Sequence, residues 1–223
     1  FFVSVSKHLP DVTANIQPNA SSRIYDDKGR LITTVHAEEN RIPVPITEVP
    51  QNLQNAFVAA EDVRFYEHHG VDPRGILRAV WANVVTRNAT GQGGSTITQQ
   101  LARNAFLTQE QTLKRKLLEV VLALQIENKY TKKQILEMYM NQIYFGQGCY
   151  GIQTASRVYF GKDVKDLTLP QCAMLAGLPN SPNYYSPFRS LEAAKYRQGI
   201  VLDQMAKYGY ISEADAQAAK KAD

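Results

Sequence analysis

Two acids stand side by side at the head of EDVRFYEHHG, residues 61–70, directly after the small apolar run NAFVAA. If residues 52–68 form one helix, Phe57, Ala60, Glu61, Arg64, Phe65 and His68 share a stripe, because residues three and four apart are helix neighbours. Glu61 then points with the apolar residues and Asp62 points elsewhere. A carboxylate on an apolar face loses hydration, binds a proton more readily and suits general-base work. A salt bridge to Arg64 is the plainer use of the same spacing. His68 and His69 would diverge by ~100° on a helix, and no HExxH spacing is present. Hydrogen bonding is therefore expected of this pair, and no metal site.

GQGGSTITQQLARNAF places glycines directly before a helix start, where free amides and the helix dipole favour an anion. No Lys-Ser/Thr follows the glycines, which excludes a nucleotide-binding P-loop. On the helix that follows, Thr96, Gln99, Gln100 and Arg103 lie three or four apart and make one polar face, either a binding face or a solvated one. In LKRKLLEVV, Arg115 and Glu119 are one turn apart with Lys116 beside them, and apolar residues follow. An acid so embedded is either held by Arg115 as a structural pair or shares a site with Glu61. Arg78 and Arg197 are isolated cations on otherwise apolar helices, suited to snorkelling at the core edge or to a phosphate cradle.

The elements that must carry these groups are mainly helical. With 223 residues and 44% apolar composition the chain can bury an ordinary core, as one domain or two closely packed lobes. The net charge of +4 is mild and no basic stripe is present, so nucleic acid is not an expected partner. Cys149 and Cys172 have no metal-ligand spacing and sit among small or apolar neighbours, where a thiol packs as a small hydrophobe. No run reaches the ~20 apolar residues of a membrane span. FFVSVSKHLP nonetheless reads either as the exit from a membrane anchor or as a packed terminal segment.

Residues 1–21, with Pro10 and Pro18, are expected to be a stalk or linker and residues 22–223 the functional domain. A short N-terminal β-hairpin is expected on either side of Asp27-Lys28-Gly29, and RIPVPITEVP is expected to be extended. Capping pairs Thr96 with Gln99, Thr131 with Gln134, and Thr168 with Gln171 mark helix starts. TLKRKLLEVVLALQIENKY is expected to be a long helix with Leu113, Leu117, Val120, Val121 and Leu124 on one face. Gly209 closes a helix through LEAAKYRQGIVLDQMAKYG, and SEADAQAAKKAD starts another. In AVWANVVTRNATGQ, Val80, Trp81, Val84 and Val85 suit lipid or core equally.

Five segments in order resemble the motifs of the family 51 peptidoglycan glycosyltransferases, which occur as monofunctional transglycosylases and as the membrane-proximal domain of class A penicillin-binding proteins. ED-x-x-F-x-x-H-x-G appears as EDVRFYEHHG, and G-x-S-T-x-T-Q-Q as GGSTITQQ. R-K-x-x-E appears as RKLLE, K-x-x-I-L-x-x-Y-L-N as KKQILEMYMN with Met140 for leucine, and R-x-x-x-V-L as RQGIVL. Two further positions depart: Arg103 stands where the family often has lysine, and Leu118 where some members carry another lysine.

The resemblance implies a lysozyme-like, two-lobed helical fold with a head and a membrane-facing jaw. It implies polymerisation of lipid II into glycan strands, with inversion, at the outer face of the bacterial cytoplasmic membrane, anchored by an N-terminal helix outside this sequence. Glu61 would be the base and Glu119 the second catalytic acid. Substrate contacts are expected from Arg64, Arg78, Ser95, Thr96, Gln99, Gln100, Arg103, Arg115, Lys116, Asn141 and Arg197. No cofactor is required, with a divalent cation left open. The expected partners are lipid II, the growing glycan, the membrane and a transpeptidase domain fused in the parent protein. A lysozyme-type hydrolase and a non-catalytic lipid II binding module are the competing readings.

Overall fold

In the computed structural model the described residues are Val12, 22–25, 31–35, 41–77, 94–107 and 112–222. The stalk residues other than Val12, together with Arg78, Val80, Trp81, Val84 and Val85, lie outside them. The chain divides into two compact units, Phe1–Gln17 with Glu61–Tyr139, and Pro18–Ala60 with Met140–Asp223.

The second unit begins with strands β1 (Ser22–Tyr25) and β2 (Leu31–Val35), paired antiparallel with Arg23 opposite Thr34 and an irregularity between Ile24 and Tyr25. The expected turn at Asp27-Lys28-Gly29 lies outside the described residues. Residues 41–45 run extended, as their prolines require, and a short 3-10 turn (Ile46–Glu48) leads into helix α1 (Gln51–Glu61). Leu53, Ala56, Phe57, Val58, Ala59 and Ala60 of α1 are all buried, so this helix is a core element and not an amphipathic surface one. Phe57 meets Phe145 edge to face at 6.1 Å.

Also in this unit are α5 (Ile152–Phe160), α6 (Leu169–Gly177), α7 (Leu191–Lys207) and α8 (Glu213–Lys221). Helix α7 packs on both α6 and α8, burying Cys172, Leu175, Val201, Leu202, Met205 and Ala216. Thr168 and Gln171 form the expected capping box, and Gly209, at φ 76°, follows the end of α7. Cys149 and Cys172 are both buried free thiols, and burial pushes the Cys172 thiol up to about 12.

The first unit is built on α2 (Ile97–Phe106), α3 (Leu113–Lys129) and the first turns of α4 (Lys132–Gln142). Helices α2 and α3 pack together over Ile97, Leu101, Leu122, Ala123 and Ile126. The expected one-sided apolar stripe of α3 is on its outer side: Leu113, Leu117 and Leu124 are exposed and Val120 and Val121 half-buried, while Glu119, Leu122, Ala123 and Ile126 are buried. Apolar periodicity finds a helix but does not say which face meets protein when another surface can take the second apolar face.

The helix expected over 52–68 stops at Glu61. Residues 63–67 form turns instead, with Phe65 N–H bonded to the Asp62 carbonyl at 2.9 Å and Glu67 N–H to that of Arg64 at 2.8 Å. The stop has a tertiary cause. The Asp62 carboxylate accepts the Ile97 amide at the start of α2 (3.0 Å) and a His68 ring nitrogen (2.9 Å). At the end of the turn Gly70 takes φ 85° and lies against α3, where a Cβ would stand 2.9 Å from the Ala123 carbonyl oxygen. Only glycine combines that backbone with that approach.

Candidate active site

Glu61 is the last residue of α1 and half-buried, and its Oε2 accepts the Gln100 side-chain amide at 2.8 Å. The carbonyl end of the same amide accepts the Tyr139 hydroxyl at 3.3 Å. Tyr139 is fully buried, and its phenol is held well above the usual tyrosine range, first by burial and then by the charge of Glu61. A phenol that keeps its proton is a donor, so Tyr139 fixes which way the amide points, with the NH2 group of Gln100 facing Glu61. Arg103, half-buried in the last turn of α2, acts electrostatically on the same phenol in the opposite sense.

The expected polar face of α2 is shared between cap and site. Thr96 accepts Gln99 N–H at 3.1 Å, Gln99 Oε1 accepts Thr96 N–H at 3.0 Å, and the Thr96 hydroxyl donates to the Gly70 carbonyl at 2.6 Å. Thr96 and Gln99 are buried in this capping box and anchor α2, with Gln99 Nε2 left without a hydrogen-bond partner. With the Asp62 to Ile97 bond, these contacts tie the loop after Glu61 to the helix that presents Gln100.

A second cluster gathers on the first turns of α3, whose start is capped by Thr112 accepting Arg115 N–H. Glu119 is fully buried and paired with Arg115 Nε at 3.1 Å and Lys116 Nζ at 2.8 Å. Lys116 also donates to Ser95 Oγ at 2.7 Å, just before the α2 cap. The Lys116 side chain keeps 44% of its surface exposed and that of Arg115 16%, so one buried acid holds a graded pair of cations that reach toward solvent. Glu119 is thus ion-paired on its own helix.

Other expected site residues are employed differently. Arg64 bonds Asp72 through both Nε and Nη2, not Glu61. His68 is buried against Asp62, while His69 is exposed. Asn141, in the second unit, binds the extended segment in both directions, accepting Val44 N–H at 3.0 Å and donating to Val44 O at 2.8 Å. Arg197 is almost fully buried in α7, over the ring of Tyr185, with Nε directed at the carbonyl of Gly177, the last residue of α6. A cation at a helix C-terminus is favourable there. Asn141 thus ties the extended segment to the second unit, while Arg197 Nη2 is buried with no hydrogen-bond partner.

Sequence reasoning missed Tyr139 and Asp62 as positioning groups. Tyr139 had a signal: a tyrosine one turn from Ile135 on a buried helix face must find a hydrogen-bond partner. Asp62 had none, since its partner Ile97 is remote in sequence.

Residues 28–206 match the family model described as Transglycosylase, which covers most of the chain. The chain belongs to the transglycosylase family. This transglycosylase chain is 48% identical over 198 residues to penicillin-binding protein 1F of Bacillus subtilis, covering 89% of the chain and 28% of that protein. It is 46% identical over 211 residues to penicillin-binding protein 1A of Escherichia coli, covering 94% of the chain and 25% of that protein. The crystal structure of penicillin-binding protein 1A from Haemophilus influenzae superposes with a TM-score of 0.54 at 27% identity, over 92% of this chain and 21% of that one. The transglycosylase chain thus spans about a quarter of the relatives it matches.

Proposed function

We propose that the chain polymerises lipid II into peptidoglycan glycan strands. Glu61 takes the proton from the acceptor's 4-hydroxyl as that oxygen attacks the donor's anomeric carbon with inversion. The bond to the polyprenyl pyrophosphate breaks, and the leaving group departs as an anion that needs cations and no proton. Lys116, Arg115 and Arg103 supply positive charge, an arrangement typically worth a few kcal/mol per well-placed group. Ser95 orients Lys116, and Gln100 orients Glu61. No cofactor enters the reaction as proposed.

The observation that carries this reading is the pairing of buried Glu119 with two cations. A glycosidase needs a protonated acid facing a second carboxylate that is available as base or nucleophile. Glu119 is committed to Arg115 and Lys116, which suits neutralising a diphosphate and not hydrolysing a sugar. The binding-module reading has no use for a carboxylate oriented as Glu61 is by Gln100 and Tyr139.

The resemblance to a two-lobed, lysozyme-like head and jaw belongs to the same proposal, as does a position at the outer face of the cytoplasmic membrane. No helix among the described residues is long and apolar enough to cross a membrane. The exposed Leu77, Leu113 and Leu117 of the first unit suit a lipid-facing surface. The family relationship and the partial coverage of the relatives support an N-terminal anchor and a fused transpeptidase domain in the parent protein.

Incubation of the purified protein with labelled lipid II in detergent, followed by separation of products, tests the reading. Long glycan with release of polyprenyl pyrophosphate is expected. Cleavage of preformed cell-wall glycan, or binding of lipid II without turnover, would replace it by one of its rivals.

A further inference from the structure

Three features of the second unit have no part in that chemistry. Phe188 is 64% exposed yet stacked on Tyr159, with ring centroids 5.3 Å apart and planes 24° from parallel. Tyr184 is 56% exposed and rests edge-on against Tyr185. Gln147 is the one non-glycine residue with positive φ among the described residues, at 54°, and it is exposed. Glycine takes that backbone without steric cost, and Gln147 has a glycine on either side. An amide side chain kept at a strained position points to a use for the amide.

Two of these features, Phe188 and Gln147, are joined through Tyr159 and Ser186. Gln147 Nε2 donates to Ser186 Oγ at 3.3 Å, and the Tyr159 hydroxyl, which also bonds Ser186, donates to the Phe145 carbonyl at 2.8 Å. Gly146, at φ 88°, approaches so closely that a Cβ would stand 3.0 Å from both the Tyr159 hydroxyl and the Pro182 carbonyl oxygen. Phe188 is therefore pre-set on a rigid support, which lowers the ordering cost of binding. A saccharide ring offers an apolar C–H face and a rim of hydroxyl and acetamido groups. A rigid exposed aromatic covers the first, and an adjacent carboxamide pairs with the second.

We propose that Phe188, with Tyr159 beneath it and Gln147 joined to that support through Ser186, is a carbohydrate-binding shelf for the saccharide polymer. The assignment rests on the reading that the chain makes such a polymer. It holds product by ring stacking and amide hydrogen bonds, without charge.

Titration of the full 223-residue chain with a neutral β-1,4-linked N-acetylglucosamine tetramer, followed by calorimetry and NMR, tests the shelf. Binding is expected to resist added salt and to weaken roughly tenfold in Phe188→Ala, about the contribution of one aromatic contact. Gln147→Gly is the second variant: it relieves the backbone strain and loses the bond to Ser186, so its Tm should change little while saccharide binding weakens. Absence of binding by the wild-type chain, or unchanged binding in both variants, would overturn the proposal. So would a self-associated state that Phe188→Ala dissolves, because the rings would then be a protein interface. The lipid II assay is run in parallel. A chain that polymerises but does not bind the tetramer loses the shelf and keeps the function, and one that binds but does not polymerise loses the function.

Discussion

Gln100 reaches Glu61 across 39 residues of sequence and gives its side-chain amide to the carboxylate at 2.8 Å. The base is thus oriented by the helix that begins at the second motif, not by its own helix, which ends at Glu61 itself.

Replacement of the base is the first test. Glu61→Gln keeps the size and the neighbours of the side chain and removes its proton-accepting charge, so polymerisation should fall by ~100- to 10,000-fold, the usual contribution of a general base. The Tm should change little. Near-normal lipid II turnover in the variant would remove Glu61 from the mechanism.

Tyr139→Phe removes the hydroxyl that sets the direction of the Gln100 amide. A loss of about 1 kcal/mol of stability is expected, with a fall in kcat larger than any change in KM. There is also a pH signature. The folded phenol titrates above the ordinary tyrosine value of about 10, so above that value the unfolded chain releases a proton that the folded chain retains. Its stabilising contribution is therefore complete below pH ~10 and lost as pH rises toward the folded value. Urea unfolding between pH 9 and 11 should show a shallower alkaline decline in Tyr139→Phe than in the wild-type chain, and parallel curves would refute the assignment.

The Glu119 cluster makes an asymmetric prediction. Glu119→Ala leaves Arg115 and Lys116 without their buried counter-charge and should cost about 3–5 kcal/mol, as breaking one side of a buried ion pair does. Lys116→Met, at the exposed end of the cluster, should unfold near the wild-type temperature while losing activity with lipid II. Equal Tm losses in the two variants would show that Lys116 is structural.

Asn141→Ala should act on stability and not on chemistry. It strips both backbone groups of Val44 of their partner, at about 1–3 kcal/mol for each buried group left unsatisfied. Glycan synthesis per folded molecule, measured well below the lowered Tm, should stay at the wild-type level.

Much of this protein was legible because its signals are local. The caps at Thr96, Thr131 and Thr168 are set by side chains that bond amides three residues on, so spacing alone reveals them. The ion pair of Arg115 and Glu119 is one helical turn, and the buried thiols follow from their neighbours. The five motifs likewise identified the family from short contiguous strings. What the string of residues could not determine were the choices made by remote partners. Whether the first motif stays helical past Glu61 depends on the Ile97 amide capturing Asp62, and which face of α3 is buried depends on α2 packing there. Asn141 looks like a ligand-binding group until Val44 is seen to occupy it. A polar side chain has the same hydrogen-bonding capacity whether it meets substrate or backbone, and only the tertiary structure decides which of the two it meets.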